Sequence, residues 1–222
     1  LLASFKAATI REFRAIAAVA NAALAASVAR RLCFLAQNPG CGTFGVNEAS
    51  PDVKAAEEQG AVTGPLTGVC VQVAKILVDN GDANAEVPVV TERLRACNAT
   101  KGYIDAKWAE WTNISWTDPL RRNNTRDAYM AAGRQMVACF REAKPTSPAA
   151  LAVWRASVQA ALVASQSRIA CHTTRGHGCG QMHSEPSDAN KVAEENRDIA
   201  GPLQALLSAP ALGQAETSDG LS

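Results

Sequence analysis

Aromatic and charged residues are scarce in this chain: aromatics make up 5% and charged residues 19% of its 222 residues. Alanine dominates the apolar residues, which make up 47% of the chain, and this composition suits helices and suits strands poorly. No apolar run is as long as a membrane span, so we predict no transmembrane span. The 22 basic and 21 acidic residues nearly cancel, which argues against a nucleic-acid partner.

Motifs of the common enzyme classes are also missing. There is no Gly-x-Ser-x-Gly elbow, and no glycine-rich phosphate loop follows a strand. Pairs of acidic residues, Glu57 with Glu58 and Glu194 with Glu195, lie on polar helix faces, where solvated charge is the usual state. We therefore predict that the protein is not an enzyme and has no catalytic residue and no cofactor.

The cysteines form no Cys-x-x-Cys pair, which disfavours a zinc ribbon or a thioredoxin-type site. The histidines, His172, His177 and His183, are interleaved with Cys171 and Cys179. Thiolate and imidazole are zinc ligands, but these spacings match no standard finger, and no glutamate lies where a catalytic zinc would need a base. We interpret the segment as a disulfide-closed, glycine-rich surface loop with solvated histidines, and we predict no metal site.

The seven cysteines are the most informative residues of the chain. Two pairs share one spacing, Cys33 with Cys41 and Cys171 with Cys179, and each encloses turn-forming residues. A helix end followed by a tight return can bring such cysteines within bridging distance. Because the count is odd, one thiol is expected to be free, and we choose Cys70, which lies on an apolar helix face.

N-glycosylation sequons begin at Asn98, Asn113 and Asn123. Together with the cysteines they favour an oxidising compartment, so we predict a protein that is secreted or displayed on the extracellular face of the cell surface. The alternative is a cytosolic or organellar protein whose buried thiols behave as small apolar side chains. Because the chain has no initiator methionine and no clear signal peptide, we interpret it as a mature or trimmed product.

Apolar residues recur at helical steps of three and four along most of the chain, and no stretch shows sustained strand alternation. We predict an all-α fold, an antiparallel helical bundle with a long N-terminal helix, stapled by disulfides. We detect no internal repeat and no long linker, so residues 1–222 are predicted to form one domain whose tail, from about residue 212, is frayed. The predicted helices cover residues 4–37, 51–60, 65–79, 87–111, 126–143, 151–170 and 188–208, with loops over 112–125 and 171–186 and a kink at Pro202.

The first cysteine pair carries a resemblance to a known family. The segment Cys33-Phe-Leu-Ala-Gln-Asn-Pro-Gly-Cys41 resembles the N-terminal cysteine hairpin of plant pectin methylesterase inhibitors and invertase inhibitors. The resemblance implies a four-helix bundle with a second bridge, between Cys97 and Cys139, and an inhibitor of a carbohydrate-active enzyme. The Pro-Lys-Phe segment by which invertase inhibitors enter their target is missing from residues 144–148, so we transfer no inhibitory residue.

A second resemblance lies in the alanine-rich composition and the long first helix. Both are similar to the helical surface proteins of trypanosomes, which are disulfide-stapled and glycosylated; this implies a coat protein or a receptor for a host ligand. We therefore predict a non-enzymatic extracellular glycoprotein that binds another protein, either as an inhibitor or as a parasite surface protein. A further alternative is an accessory structural subunit of a large assembly in an oxidising organelle compartment.

Three of the four tryptophans, Trp108, Trp111 and Trp116, cluster at a predicted helix end, and Arg121 and Arg122 follow. Tryptophan and arginine are the residues that most often anchor protein interfaces. We expect Trp108 and Trp111 to pack inside the bundle and predict that Trp116, Arg121 and Arg122 contact the protein partner. The sequence leaves the oligomeric state open.

Overall fold

The computed structural model describes residues 9–36, 51–115, 117–174 and 188–209, and these residues form helices joined by short turns, with no strand among them. The fold is an all-α helical bundle, as predicted. Contacts between Cα atoms divide the chain into two compact units, one of residues 1–96 and 147–153 and the other of residues 97–146 and 154–222. The single domain over residues 1–222 stays a prediction, and its expected frayed tail lies outside the described residues.

Two of the helical segments are followed by one wider turn in which the backbone bonds over five residues instead of four. We call these the first π-turn (Gln59–Thr63) and the second π-turn (Asn196–Ala200). The helices, in chain order, are α1 (Ile10–Ala36), α2 (Pro51–Glu58), α3 (Gly64–Asp79), α4 (Val87–Asn113), α5 (Pro119–Glu142), α6 (Pro148–Thr174), α7 (Asp188–Glu195) and α8 (Gly201–Ser208).

In the first unit, α1 packs against α2 and α3. Leu24 and Val28 of α1 meet Cys70 and Ala74 of α3 and Val89 of α4 in one buried cluster. The apolar stripe of α1 that the sequence predicts is therefore the side that faces the core. A second cluster consists of Phe13, Val73 and Leu77.

In the second unit, the core is built from large side chains of α4, α5 and α6. Trp154 and Phe140 have no exposed surface, and the indole Nε1 of Trp154 donates a hydrogen bond of 2.8 Å to the Phe140 carbonyl oxygen. This bond satisfies the one polar atom that a buried tryptophan brings into the core. Ile104 and Met136 are equally buried.

The second unit also contains the bridge that the inhibitor resemblance implied. Cys97 on α4 and Cys139 on α5 form a disulfide, with Cα atoms 5.6 Å apart. Because the two residues lie on different helices, the bond ties α4 to α5 covalently.

The other described cysteines are either disulfide-bonded or free. Cys33 and Cys171 are disulfide-bonded as well; Cys41 and Cys179, the partners expected from their spacing, lie outside the described residues. Cys70 is a buried free thiol, as predicted, and desolvation raises its pKa. A raised pKa keeps the thiol protonated and therefore unreactive.

The predicted loop over residues 112–125 is wrong, because α4 extends to Asn113 and α5 already begins at Pro119. The side chain of Asp118 accepts a hydrogen bond from the Arg121 N–H, and Pro119 occupies the first helical turn, where it needs no N–H partner. The Asp118–Pro119 pair therefore marks the start of α5 in the sequence. The polar residues that follow it led to the prediction of a loop.

We predicted that Pro202 kinks one continuous α-helix. Instead, Pro202 follows the second π-turn, which lies between α7 and α8. A proline ring collides with the carbonyl four residues earlier in a regular helix. Here the Gly201 N–H bonds to the carbonyl oxygen of Asn196, five residues earlier, which widens the turn. A Cβ at Gly201 would lie 2.7 Å from that oxygen, so only glycine fits.

The first π-turn has the same construction. The Gly64 N–H bonds to the Gln59 carbonyl oxygen, and Pro65 follows. The helical path therefore runs unbroken from Pro51 to Asp79, whereas the sequence predicted a stop at Gly60.

The two π-turns belong to an internal repeat, so the expectation of no repeat is wrong. Helices α1 and α6 are both 27 residues long, α2 and α7 are both 8, and the π-turns are both 5. We call residues 10–79 the first copy and residues 148–208 the second copy. The shared motifs are Ser-x-x-Arg-x-x-Cys (residues 27–33 and 165–171), Lys-x-Ala-Glu-Glu (54–58 and 191–195) and Gly-Pro-Leu (64–66 and 201–203).

Each of these motifs is short and commonplace by itself, and the sequences between them differ. The aligned helix boundaries make the correspondence visible. Buried positions also match between α1 and α6: Phe13 with Leu151, Ala20 with Val158, and Leu24 with Leu162.

Gly133 on α5 offers a test of the packing in the second copy. A Cβ at this position would overlap the side chain of Ile199 in the second π-turn. We expect Gly133→Ala to lower the free energy of unfolding by about 1–3 kcal/mol, because overpacking outweighs the gain in helix propensity. Thermal unfolding followed by circular dichroism measures it.

Gly102 on α4 is the matched control, because a Cβ there meets no atom within 4 Å. Gly102→Ala should stabilise the protein by up to about 1 kcal/mol. The double variant Gly133→Ala/Ile199→Ala should destabilise less than the two single losses added together. Similar effects of Gly133→Ala and Gly102→Ala would contradict the close contact.

Two helical stretches are long and apolar enough to cross a membrane by length and composition alone, Ile10–Leu35 and Val53–Asp79. Core helices of water-soluble proteins and signal sequences meet the same criterion. The first stretch carries Arg14 and Arg30, which form ion pairs with Asp82 and Glu58. Because two stretches meet the criterion, the absence of a transmembrane span is not confirmed and stays a prediction.

Candidate functional site

A charge cluster, which we call the first clamp, joins α1 to α2 through Ser27, Arg30 and Glu58. The Glu58 Oε1 atom accepts a 2.5 Å hydrogen bond from the Ser27 hydroxyl and a 2.8 Å bond from Arg30. Desolvation raises the pKa of the Glu58 carboxyl, but Ser27 and Arg30 outweigh it and hold that pKa below its ordinary value. Thr63 of the first π-turn lies 2.7 Å from the Ser27 hydroxyl and extends the cluster.

The second clamp repeats this arrangement with Ser165, Arg168 and Glu195. The Glu195 Oε1 atom accepts hydrogen bonds of 2.5 Å from Ser165 and 2.9 Å from the Arg168 Nε. The side chains of Arg168 and Glu195 are 4% and 0% exposed, so this pair is withdrawn from water. The other oxygen of Glu195, Oε2, has no hydrogen-bond partner among the described residues.

The four acidic residues that we predicted to lie on solvated helix faces therefore differ in how far they are buried. Glu57 is exposed as predicted, but Glu195 is fully buried and the side chain of Glu58 is only 13% exposed. Glu194 is half-buried and pairs with Arg126 of α5. The prediction failed because each clamp partner lies on a separate helix, which local periodicity does not reveal.

Trp111 is buried inside the second unit, as expected, and Trp108 is half-buried beside it. Their rings meet those of Tyr129 and His172, with ring centroids between 5.0 and 6.4 Å apart. Burial, and then the charge of Glu195, raise the pKa of the Tyr129 hydroxyl, which stays protonated. We call these four residues the aromatic cluster.

His172 is not solvated, contrary to the prediction, and is 1% exposed. Helix α6 extends to Thr174 and carries His172 into the aromatic cluster, where its ring lies edge-on to Trp108. His177 and His183 lie outside the described residues. Among the residues that are described, no group of three or more His, Cys, Asp or Glu side chains is placed to hold a metal ion.

The three residues predicted to contact a partner have different positions. Arg121 is exposed and reaches Glu110 at 3.3 Å, while Trp116 lies outside the described residues. Lys107 and Arg121 together hold the pKa of the Glu110 carboxyl below its ordinary value. These residues form a solvated, charged surface at the junction of α4 and α5.

Arg122 does not belong to that surface, because it is 5% exposed. Its Nη1 donates a 2.8 Å hydrogen bond to the Ile114 carbonyl oxygen, and its guanidinium lies 4.8 Å from the centre of the Trp111 ring. The arginine therefore fixes the turn between α4 and α5 from within, and its predicted role in partner contact is corrected.

The three sequons differ in their surroundings. Asn113 is exposed and ends α4, so the residues that follow it leave the helix. Asn98 is exposed in the middle of α4. Asn123 is exposed on α5, but Thr125 of its sequon is buried at 7% exposure. The sequon at Asn113 is the one that best fits the loop position typical of glycosylated asparagines.

A polar cleft of about 230 Å³ lies beside the second π-turn, lined mainly by arginine and acidic side chains of α5, α7 and that turn. Asp198 pairs with Arg134 at 3.0 Å and with Arg197 at 2.6 Å, and Arg126 pairs with Glu194. Because each arginine faces an acid, the cleft offers no net positive charge to an anionic ligand.

Comparison with models of known protein families, with curated proteins and with solved structures gave no match. The fold and the Cys97–Cys139 bridge define the protein as an all-α, disulfide-containing helical bundle.

Proposed function

We propose that the protein is a non-enzymatic extracellular glycoprotein that acts by binding another protein. The observation that supports this best is the state of the cysteines. Cys97 and Cys139 are bonded to each other, Cys33 and Cys171 each belong to a disulfide, and Cys70 is a buried free thiol. Disulfides of this kind persist in oxidising compartments and are rare in the cytosol. The exposed sequon at Asn113 is consistent with the same compartment.

Arg121, together with Trp116, is the proposed contact surface. Arg121 is exposed beside Glu110 and Lys107, and arginines of this kind can pair with a partner's carboxylates. The nearest concrete form of this function is an inhibitor of a carbohydrate-active enzyme, which should form a one-to-one complex and lower the rate of its target.

A parasite coat protein or host-ligand receptor is the second candidate, and the 27-residue helix α1 favours it. A receptor should capture a host protein without lowering any enzyme rate. The accessory subunit of an organelle assembly should carry no glycan and should purify with a larger complex.

The test is the intact mass of protein purified from its native source, with free thiols alkylated without reduction. We expect one alkylated thiol and a mass that falls on enzymatic deglycosylation. When the protein is expressed in a eukaryotic secretory system, Asn113→Gln should remove one glycan. Asn124→Gln, one residue beyond a sequon asparagine, should not change the glycan mass.

Seven alkylated thiols and no glycan would overturn the extracellular proposal. Bridges without any glycan would favour the organelle subunit.

A further inference from the structure

The two copies of the repeat differ in how well one equivalent face is covered. In the second copy, Ile199 and Leu203 are completely buried. Their counterparts in the first copy, Val62 and Leu66, are only half-buried, and Val69 one turn further along is 43% exposed. Val62 and Leu66 thus occupy the same apolar positions as Ile199 and Leu203 but are less shielded from water, whereas Leu206, the counterpart of Val69, is itself half-buried.

Helix α5 covers the face in the second copy. It packs on the second π-turn and on α8, and Gly133 lets its backbone approach Ile199 closely. Arg126, seven residues before Gly133 and thus on the same side of α5, pairs with Glu194. A helix with an arginine followed seven residues later by a small residue is therefore what this face accepts.

The first copy keeps the features that such a helix needs. Glu57 occupies the position of Glu194 and is exposed, and Val62 offers a branched apolar side chain in place of Ile199. Among the residues that the structure describes, the elements packed closely on the first π-turn are α1, α2 and α3, all of the first copy itself. Asp198, which receives Arg134 in the second copy, is replaced by Ala61, so one arginine contact is lost.

We propose that Glu57, Val62, Leu66 and Val69, which we call the open face, form a docking site for one helix of a partner protein. The partner helix places a glycine or alanine over Val62 and an arginine, seven residues earlier, against Glu57. This inference rests on the proposed protein-binding function and specifies the chemistry of the partner. Burial of the apolar side chains supplies the attraction, and the ion pair sets the register.

The probe is a labelled peptide of residues 119–142, the α5 sequence, with Cys139→Ser to prevent thiol exchange. A hydrocarbon staple between positions 131 and 135, on the opposite side of the helix from Arg126, keeps it helical. Fluorescence anisotropy with the full chain should show saturable binding. Glu57→Arg should weaken binding at least about tenfold, because like charges would then face each other.

Charge reversal provides the specific control. A peptide with Arg126→Glu should bind the wild-type chain weakly and regain its affinity for Glu57→Arg. The variant Arg121→Glu, on the other proposed surface, should bind the original peptide as the wild type does. Thermal unfolding should show that Glu57→Arg folds normally, because Glu57 is exposed.

Absence of saturable binding, or binding that Glu57→Arg leaves unchanged, would overturn the docking site. A peptide that displaced native α5 from the second copy would bind equally well to the wild type and to Glu57→Arg, and this result would also overturn the docking site. Neither result would alter the glycan and thiol masses, so the proposed extracellular function is judged separately.

Discussion

Glu195→Ala is expected to lower the free energy of unfolding by about 3–5 kcal/mol, because it leaves a buried arginine without its principal partner. The Arg168 side chain is 4% exposed and bonds to Glu195 at 2.8 Å. Its remaining carboxylate contact, Asp105 at 3.3 Å, is 42% exposed and screened by water. Urea unfolding followed by circular dichroism measures the loss.

The first clamp supplies the matched control. Glu58→Ala removes the equivalent carboxylate, but Arg30 is 51% exposed and can be rehydrated, so we expect a loss of only about 1 kcal/mol. The double variant Arg168→Met/Glu195→Leu should recover most of the stability, since it removes both buried charges. Equal losses in the two single variants would contradict the difference in burial between the clamps.

Removal of the Cys97–Cys139 disulfide is the second large effect. The bond joins residues 42 positions apart, and closing a loop of that size is worth about 4 kcal/mol on the chain-entropy model. The double variant Cys97→Ala/Cys139→Ala should unfold at a correspondingly lower urea concentration. Dithiothreitol should lower the midpoint of the wild-type protein at least as far as that of the variant, because it also reduces the disulfides of Cys33 and Cys171.

Cys70→Ala is the control for the disulfide experiment. It removes one buried sulfur atom and no covalent bond, so we expect a loss of about 1 kcal/mol. A double variant no less stable than Cys70→Ala would show that the bridge contributes little to the stability of the second unit.

The internal repeat places two similar sets of residues in different surroundings. In the second copy the clamp is fully buried and α5 covers the adjacent π-turn. In the first copy, Arg30 and Glu57 remain exposed. Equivalent residues are thus buried in the second copy and partly exposed in the first, so each copy provides the control for experiments on the other.

The amino-acid sequence was enough to predict the elements whose signals are local. The 3.6-residue period of apolar side chains predicted α1, α3 and α4, and Pro51 marked the start of α2, because these features act within one helical turn. It also predicted the free thiol at Cys70, which follows from its place on an apolar stripe.

Which polar residues are buried, and which partners they have, depends on how the helices pack. We predicted that Glu195 and His172 are solvated and that Arg122 contacts a partner, yet all three are buried against residues of other helices. The partners of a clamp lie about 30 residues apart in sequence, with separations of 31 between Ser27 and Glu58 and 30 between Ser165 and Glu195. Periodicity reports the side of a helix that faces the core, but a buried ion pair depends on how two helices meet, which only the folded chain specifies.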